Sequence, residues 1–434
     1  MDSAAPPPFP LGLRHTLTHR VTGAELAPVA ALIGSSDPAL SSRAAATLMT
    51  RLLVSRFPGP GTLLRREDFR FAGRLAEGDQ VELTVEVAGT AGDGSLVLHC
   101  SVRQADGTAI LEGTAEVTPP AAAPTGTEAP FGTQPRRMIA TLLARCAGLP
   151  PVPTAVVHPC DVASLDGAML AARHGLIRPI LVGPPPRIRA AAETLGIDLA
   201  GVELVATPHS HASAEAAVAL VGQGRAAALM KGSLHTDELM SAALAREAGL
   251  RTERRVSHAF VMDAPLYPRL LIITDAAVNI TPDLEAKADI VRNAIDLAVA
   301  IGIDLPRVAL LSAVETVTPK LASTIDAAAL CKMAERGQIM GGILDGPLAF
   351  DNAVSEEAAR AKGIVSAVAG RADILVVPDI ESGNMLAKQL AHLGGAEGAG
   401  IVLGLRVPMA LTSRSDDATS RLASAALLRL VAAR

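Results

Sequence analysis

Two different hydrophobic patterns follow one another along the chain. Between residues 69 and 118, apolar and polar residues alternate, as in VELTVEV (81–87) and SLVLHCSV (95–102), and Gly-containing turns separate these runs. Alternation with a period of two predicts antiparallel strands, and such turns are typical of hairpins. The preceding segment 41–57 has the spacing of an amphipathic helix and ends at PGPG (58–61). This part of the chain therefore predicts an α+β unit made of one helix and a curled antiparallel sheet.

A segment without periodicity separates this unit from the second pattern. Residues 118–135 are rich in Pro, Ala, Gly and Thr, which is typical of a linker. From residue 137 onward, aliphatic runs alternate with helix-like runs, and this predicts a parallel, doubly wound sheet. The predicted strands lie at 154–158, 178–183, 201–206, 225–230, 307–313, 372–378 and 407–412. The section 256–276 departs from the rhythm, because it predicts two strands joined by a tight Pro-containing turn, and so marks a second lobe.

Short polar loops stand where these predicted strands give way to helices. They lie at 228–236, 272–283, 310–320, 343–351, 376–388 and 410–417. Ligands of open α/β sheets bind beyond the carboxyl ends of the strands, where helix N-termini attract anions. We therefore expect one site for a phosphorylated ligand that is formed by many loops. For any single loop, ordinary turn and cap chemistry is the alternative.

Composition excludes several classes of function. Aromatic residues make up 2% of the chain, net charge is −5, and no block of Lys and Arg occurs, so we expect no nucleic-acid partner. The four cysteines are far apart without CxxC spacing, which indicates a reducing compartment and no metal site. The N-terminus lacks the pattern of a secretory signal, and no uninterrupted apolar stretch could span a bilayer. We expect a soluble, cytoplasmic protein with no membrane partner.

Several motifs of the second half are specific in combination. They read LMKGSLHTDEL, SHAFVMDAP, LLIITDAAVNITPDLE, GGILDGPLAFDNAVS, ILVVPDIESGNMLAKQL and VPMALTSRSD. With them, residues 137–434 resemble the phosphate acetyl/butyryltransferase family. The resemblance implies the reaction acyl-CoA + phosphate ⇌ acyl phosphate + CoA with a short acetyl or butyryl chain, and coenzyme A as a substrate with no further cofactor. It also implies a two-lobed α/β fold like that of isopropylmalate dehydrogenase. We place one lobe at about 137–255 with 401–434 and the other at about 256–400, and expect a homodimer or higher homo-oligomer.

The last polar loop carries the residues of the family's Ser-Arg…Asp pattern. Acyl transfer between a thiol and phosphate needs a base, a cation and donors for the developing oxyanion. By resemblance, Arg414 holds phosphate and the acyl carbonyl, Ser413 stabilises the tetrahedral state, and Asp416 deprotonates coenzyme A. Asp417 is a second candidate for the base, because the spacing is shorter than in acetyl-transferring members. For Asp416, a plain helix N-cap is the alternative.

The loop after the predicted strand at 225–230 supplies a second group of candidates. Lys231 offers a point charge for phosphate, Gly232 permits close backbone approach, and Thr236 stands where the next helix begins. A solvated side chain at a strand end is the alternative for Lys231. Met240 stands near the place where acetyl-transferring relatives carry an Arg, and this favours the butyryl branch, which shares the LMKG motif.

Two further loops complete the predicted site. Asp345 belongs to a predicted Asp-Gly-Pro loop, and Gly383 and Asn384 begin a helix after the strand at 372–378. We expect all three residues to line the substrate cleft. Turn chemistry is the strong alternative for each of them.

The first half resembles a MaoC-type hot-dog domain. FPGPGTLLRREDFRFAGRLAEGDQVELTVEV carries the resemblance, and the predicted domain covers 12–118, followed by a linker at 119–136. The order of the two domains resembles proteins described as bifunctional enoyl-CoA hydratase/phosphate acetyltransferase. Hydratases of this kind use an Asp and a His, and Ser35 and Leu40 occupy these positions here. Since neither side chain can activate water, we expect no hydratase activity and a role in assembly or acyl-CoA contact.

Two other functions compete with this interpretation. A metal- and NAD(P)-dependent dehydrogenase of the isopropylmalate dehydrogenase-like fold could use Asp275, Asp345 and Asp351 as metal ligands, but no GxGxxG follows a strand. A non-catalytic acyl-CoA-binding protein would not need the Ser413, Arg414 and Asp416 cluster.

Overall fold

The structure is a computed structural model that describes residues 9–23, 25–26, 29, 42–120, 137–412 and 416–434. It divides into two compact units, Met1–Pro135 and Arg136–Arg434. The boundary between them falls within the segment whose composition is typical of a linker.

The first unit contains a sheet of five antiparallel strands and a helix. Its elements are β1 Arg14–Arg20, α1 Ser42–Ser55, β2 Leu63–Phe71, β3 Gln80–Thr90, β4 Leu96–Gln104 and β5 Ala109–Thr118. The strands lie in the order β1-β3-β4-β5-β2. The helix predicted at 41–57 is α1, and the alternating segments are β3, β4 and β5.

One face of this sheet and one stripe of α1 form the core of the first unit. Along β3, Val81, Leu83 and Val85 are fully buried. They pack with the buried side of α1, which includes Leu48 and Leu52. The apolar face of β3, formed by every second residue, and the apolar stripe of α1 therefore pack into a single aliphatic core.

The second unit has a larger set of elements. Its strands are β6 Val152–Val157, β7 Ile177–Gly183, β8 Glu203–Ala206, β9 Ala228–Lys231, β10 Ser257–Asp263, β11 Leu271–Thr274, β12 Arg307–Leu311, β13 Ile343–Leu348, β14 Ile374–Val376, β15 Glu397–Leu403 and β16 Met409–Ala410. Its helices are α2 Arg137–Cys146, α3 Val162–Arg173, α4 Pro185–Leu195, α5 Ser210–Gly222, α6 Thr236–Leu244, α7 Leu284–Ala300, α8 Ala322–Glu335, α9 Phe350–Val354, α10 Glu356–Ala361, α11 Ile380–His392 and α12 Ala418–Val431.

The described strands of this unit form one sheet in the order β13-β12-β14-β11-β10-β15-β16-β9-β6-β7-β8. The pairs among β11, β12, β13 and β14 are parallel, and so are those among β6, β7, β8, β9 and β16. Between these blocks, the pairs β11–β10, β10–β15 and β15–β16 are all antiparallel. The prediction of one parallel sheet therefore holds for each block and is wrong for the whole, because the two blocks run in opposite directions.

Because the two parallel blocks run in opposite directions, the carboxyl ends of their strands lie at opposite edges of the sheet. We call the edge with the carboxyl ends of β6, β7, β9 and β16 the β9 edge, and the edge with the carboxyl ends of β11, β12 and β14 the β14 edge. The carboxyl end of β10 and the amino end of β15 also lie at the β9 edge, as their antiparallel pairing requires.

Helices cover both faces of this sheet. One core contains buried side chains of α2, α3, α7, α8 and α12. On the other face, α5 and α6 cover the β9 block, and α9, α10 and α11 cover the β14 block. Aspartates begin several of these helices, since Asp161, Asp283 and Asp379 each accept a hydrogen bond from a backbone N–H of the first turn.

Four strands were missed by the sequence prediction, namely β1, β2, β13 and β15. Residues 345–347, predicted as a loop, lie inside β13, and β15 follows a Gly-rich segment. Gly and Pro normally interrupt strands, but β13 is at the end of the sheet, where one side needs no ladder hydrogen bonds. The two strands predicted within 256–276 are β10 and β11, and they pair antiparallel as expected. Among the described helices, none combines the length and apolar character needed to cross a membrane.

The division into units predicts that Arg136–Arg434 folds without the first unit. In α2, Met138 and Leu142 are fully buried, and the Met138 N–H donates to Asp263 Oδ2 at 3.1 Å. A fragment that begins at Gln134 retains this helix and should unfold in one cooperative thermal transition followed by circular dichroism. A control fragment that begins at Ala147 exposes the surface beneath α2 and should melt at a clearly lower temperature. Equal melting temperatures, or a Gln134 fragment without a transition, would contradict this assignment.

Candidate active site at the β9 edge

The structure brings the loops after β9 and β16 together. Met230 and Ala410 are neighbours in the parallel pair of these strands. Lys231, at the end of β9, is 4% exposed, and its Nζ donates to Thr412 O at 3.4 Å and to Gly232 O at 3.5 Å. A buried ammonium is stable only with polar or anionic partners around it. Lys231 is therefore a buried cation beside the loop after β16, so the alternative of a solvated side chain is wrong, and its phosphate-binding role stays a prediction.

Gly232 and Thr236 shape the loop that follows Lys231. A Cβ at Gly232 would lie 2.4 Å from Val157 O and 2.7 Å from His158 O. The close approach permitted by Gly232 is therefore to the end of β6, and it fixes the path of the loop. Thr236 is the first residue of α6, as predicted.

The aspartates before α12 have different positions. Asp417 is the N-cap of this helix, and its Oδ1 accepts the Ser420 N–H at 2.7 Å. The capping role considered for Asp416 thus belongs to Asp417. Ser413 and Arg414 lie outside the described residues, and their roles stay predictions.

A buried arginine braces the loop between β16 and α12. Arg421 is 4% exposed, its Nε donates to Asp416 O at 3.3 Å, and its Nη1 donates to Thr412 Oγ1 at 3.0 Å. These bonds join residues on both sides of the segment 413–415. Sequence reasoning missed Arg421, because an arginine in the first turns of an apolar helix resembles an ordinary exposed residue.

A cavity of about 260 Å³ lies beside Asp416. Its lining combines small or apolar side chains with charged ones at the start of α12 and the end of α11. The lining residues are Phe260, Met262, Ala387, Lys388, Ala391, His392, Ala396, Gly398, Asp416, Asp417 and Ser420. A carboxylate, a cation and an apolar wall therefore meet in one cavity at the β9 edge.

Lys388 and His392 are candidate site residues that the sequence prediction missed. They are four residues apart on α11, so they share one face of the helix. The signal was present in the motif GNMLAK, where Lys388 follows Asn384 by one helical turn. The predicted site was built from loops, so it did not include Lys388 and His392, which lie within a helix.

Gly383 and Asn384 fasten α11 at the β14 edge. A Cβ at Gly383 would lie 2.4 Å from Asp275 O, and Asn384 Nδ2 donates to Ala276 O at 3.1 Å. Lys388 is one helical turn further on, roughly 6 Å along the axis. The two predicted substrate-binding residues thus hold the helix that carries Lys388.

Asp345 lies far from the β9 loops. It belongs to β13, six strand positions from β16, which corresponds to roughly 29 Å at the usual strand spacing. Its Oδ1 accepts the Gly346 N–H at 2.8 Å. Six strands of the sheet separate β13 from β9, and the expectation of one site from all six loops stays a prediction. A substrate-binding role for Asp345 stays a prediction.

The three aspartates proposed as metal ligands have other partners. Asp275 accepts backbone N–H bonds from Ala277 and Val278, and Asp351 pairs with Lys362 at 3.0 Å. Among the residues that the structure describes, no group of three His, Cys, Asp or Glu side chains is arranged to hold a metal ion.

His258 is a buried imidazole behind the cavity wall. Its ring lies 4.5 Å from that of Phe260 in an edge-to-face arrangement. Burial lowers the pKa of His258 to about 4, against the opposing effect of Asp275, so the ring is neutral at neutral pH. Neither ring nitrogen has a hydrogen-bond partner within the described part of the chain.

The cysteines are protonated at neutral pH. Burial raises the pKa of Cys160 to about 11 and those of Cys100 and Cys331 to about 12, and it also raises the pKa of Cys146. Because the thiolate is the nucleophilic form, none of these side chains suits nucleophilic catalysis.

The crowding around Gly232 predicts that this position tolerates no side chain. Gly232→Ala should lower the free energy of unfolding by roughly 1–3 kcal/mol, because the new Cβ overlaps backbone oxygens of β6. Gly222→Ala is the matched control, since a Cβ there meets nothing within 4 Å. Thermal or urea unfolding should show a loss only for Gly232→Ala. A Gly232→Ala protein as stable as the control would show that the loop can move away from β6.

The chain is similar to known phosphate acetyltransferases and butyryltransferases. The family model described as phosphate acetyl/butaryl transferase matches residues 211–428. A phosphate acetyltransferase of Rhizobium meliloti is 63% identical over 293 residues, which cover 68% of this chain and 93% of that protein. A phosphate butyryltransferase of Clostridium acetobutylicum is 43% identical over 272 residues, which cover 63% of this chain and 90% of that protein.

A solved structure gives the same result. The branched-chain phosphotransacylase of Enterococcus faecalis V583 is 30% identical with a TM-score of 0.55, and the match covers 64% of this chain and 99% of that one. With the family model and these relatives, it shows that the chain belongs to the phosphate acetyl/butyryltransferase family and is an acyltransferase.

Proposed function

We propose that this protein transfers a short acyl group between coenzyme A and inorganic phosphate in the cavity beside Asp416. The reaction is acyl-CoA + phosphate ⇌ acyl phosphate + CoA. The observation that carries the proposal is the meeting of Asp416, Lys388 and an apolar wall in one cavity of a family member. These are the base, the cation and the acyl surface that such a reaction needs.

Each group has a defined task in the transfer. In the direction of acyl-CoA synthesis, the thiol proton of coenzyme A passes to the Asp416 carboxylate as sulfur attacks the carbonyl carbon of acyl phosphate. The tetrahedral intermediate then collapses, and the bond to phosphate breaks. Lys231 and Lys388 supply positive charge, and the predicted roles of Ser413 and Arg414 are to stabilise the same oxyanion and phosphate. The reverse reaction uses the same groups in the opposite order.

We propose direct transfer of the acyl group, with both substrates in the site together. Burial raises the pKa of all four thiols, including Cys160 near the β9 edge. A protonated thiol is a poor nucleophile, so the cysteines are not suited to carry an acyl-enzyme.

Asp416 and Asp417 are the two candidates for the base. The carboxylate of Asp417 already accepts the Ser420 N–H. By the family resemblance we assign the role of base to Asp416. Asp417 lines the same cavity and stays the alternative candidate.

The function and the base assignment are tested together by phosphate-dependent release of coenzyme A from acyl-CoA, followed with a thiol reagent. Wild type should release CoA only when phosphate is present. Asp416→Ala should lose about a hundred- to ten-thousand-fold in rate with little change in stability. Asp417→Ala should lose about 1 kcal/mol of stability, as expected for a missing N-cap, with a smaller loss of rate.

Two results would contradict this account. Absence of phosphate-dependent CoA release by folded wild type would overturn the function. A larger rate loss for Asp417→Ala than for Asp416→Ala would reverse the roles of the two carboxylates.

Lys388 is proposed to bind the phosphate that reacts. Lys388 lines the cavity together with Asp416, and its side chain is exposed to solvent. A hydrogen bond to a charged group contributes about 1.5–3 kcal/mol, so Lys388→Met should raise the KM for phosphate by roughly ten- to a hundredfold. Lys332→Met is the control, because Lys332 is an exposed residue of α8 that pairs with Glu335 and does not line the cavity. An unchanged KM for phosphate in Lys388→Met would remove this residue from the site.

The first unit is proposed to be a hot-dog domain without hydratase activity. Support comes from the helix α1 packed on one face of a five-stranded antiparallel sheet. The substituted positions Ser35 and Leu40 lie outside the described residues, so the loss of hydration chemistry rests on the sequence alone. A role in assembly, the homo-oligomeric state, the two-lobed form of Arg136–Arg434 and a cytoplasmic location likewise remain proposals.

A further inference from the structure

Thr412 binds two buried cations with two different atoms. Its carbonyl oxygen accepts a hydrogen bond from Lys231 Nζ at 3.4 Å, and its hydroxyl accepts one from Arg421 Nη1 at 3.0 Å. The three residues are each 3–4% exposed. A shift of the Arg421 guanidinium would therefore move the carbonyl group that Lys231 binds.

Arg421 also binds the other side of the loop between β16 and α12. Its Nε donates to Asp416 O at 3.3 Å, so one guanidinium holds residues on both sides of the segment 413–415. The two bonds use different nitrogens of a planar, rigid fork, and the single nitrogen of a lysine cannot reproduce this geometry. One side chain therefore connects the partner of Lys231 with the residue that we assign as the base.

The helix α3 supports the aliphatic stem of Arg421. Gly167 is a buried residue of this helix, and a Cβ there would lie 2.7 Å from Arg421 Cδ and 3.0 Å from its Cβ. The absence of a side chain at Gly167 thus lets the arginine stem lie against α3. Close packing of the stem limits its rotamers, so the position of the guanidinium depends on α3.

We propose that Arg421 is a positioning residue for acyl transfer, which holds Lys231, through Thr412, and Asp416 in the arrangement that the reaction needs. The inference rests on the proposed function. Arg421 does not line the cavity, so it acts through the residues that it binds and not on the substrate. Displacement of a reacting group by about 1 Å can cost about a hundredfold in rate, so a residue that fixes this loop has a large effect on kcat.

The test measures kcat for the phosphate-dependent release of CoA by the full chain, at a temperature where each variant is folded. Arg421→Met keeps most of the aliphatic stem and removes both hydrogen bonds, so kcat should fall by roughly ten- to a hundredfold. Arg421→Lys keeps the charge and can bind only one side of the loop, so its loss should be smaller.

Arg429→Met is the matched control. Arg429 lies on the same helix, is also 4% exposed, and is roughly 12 Å further along the helix axis. Arg429→Met should leave kcat at the wild-type value, even where it lowers the melting temperature as much as Arg421→Met does. A difference in kcat between two folded variants separates the positioning of the site from a general loss of stability.

A double-mutant cycle shows whether Arg421 acts through Thr412. Thr412→Val removes the hydroxyl that accepts the Arg421 Nη1 bond and keeps the carbonyl oxygen that Lys231 binds. It should lower kcat, whereas Thr412→Ser retains the hydroxyl and should lose less. The loss in the double variant Thr412→Val with Arg421→Met should be clearly smaller than the product of the two single losses, as for residues that share one interaction.

A kcat for Arg421→Met equal to that of Arg429→Met would overturn the inference, and so would losses in the cycle that multiply fully. If Arg421→Met does not fold, Gly167→Ala takes its place, because the new Cβ displaces the arginine stem without removing the guanidinium. Gly167→Ala should lower kcat, and Gly222→Ala, where a Cβ meets nothing within 4 Å, should not. Equal kcat values for these two variants would also overturn the inference. Absence of CoA release by wild type would instead contradict the proposed function itself.

Discussion

Three successive antiparallel pairings in the middle of the large sheet determine where every loop of Arg136–Arg434 lies. The pairs β11–β10, β10–β15 and β15–β16 reverse the direction of one parallel block against the other. Within the second block, β16 pairs in parallel with β9, and the loop before α12 lies beside Lys231. The antiparallel pairings place the carboxyl end of β10 and the amino end of β15 at the same edge, where their side chains line the cavity.

The helix α11 connects the two edges. It begins at the β14 edge, where the Asp379 and Ser382 capping box closes its first turn, and Asn384 binds the loop after β11. Its last two turns then carry Lys388 to the β9 edge. Polar residues at the start of the helix thus determine the position of a cation at its other end. Asn384, which the sequence suggested as a ligand-binding residue, thus contributes to the site by positioning α11.

Sequence patterns predicted local structure well and spatial relations less well. Periodicity located α1, the strands β3 to β5, and the antiparallel pair β10 and β11, since each depends on neighbouring residues. It missed β1, β2, β13 and β15. The Gly and Pro residues of β13 are tolerated because this strand lies at the end of the sheet. Strand direction depends on pairing between distant segments, so the sequence could not show that Asp345 and Lys231 lie far apart.

The candidate site was predicted in part for the same reason. The family resemblance pointed to Lys231 and Asp416, which the structure places in adjoining loops. It left Asp416 and Asp417 as alternatives for the base, and only the structure shows that Asp417 accepts the Ser420 N–H as the N-cap of α12. Lys388 and Arg421 were missed because both reach the site from inside helices, where local sequence gives no sign of the packing around them.

The central claim is that acyl transfer takes place in the cavity between α11 and the start of α12. A crystal structure of the complex with coenzyme A tests it most directly. The account predicts the sulfur atom within hydrogen-bond distance of the Asp416 carboxylate, in the cavity that Phe260 and Met262 also line. Coenzyme A bound with its sulfur at the β14 edge, beside Asn384 or Asp345, would contradict it.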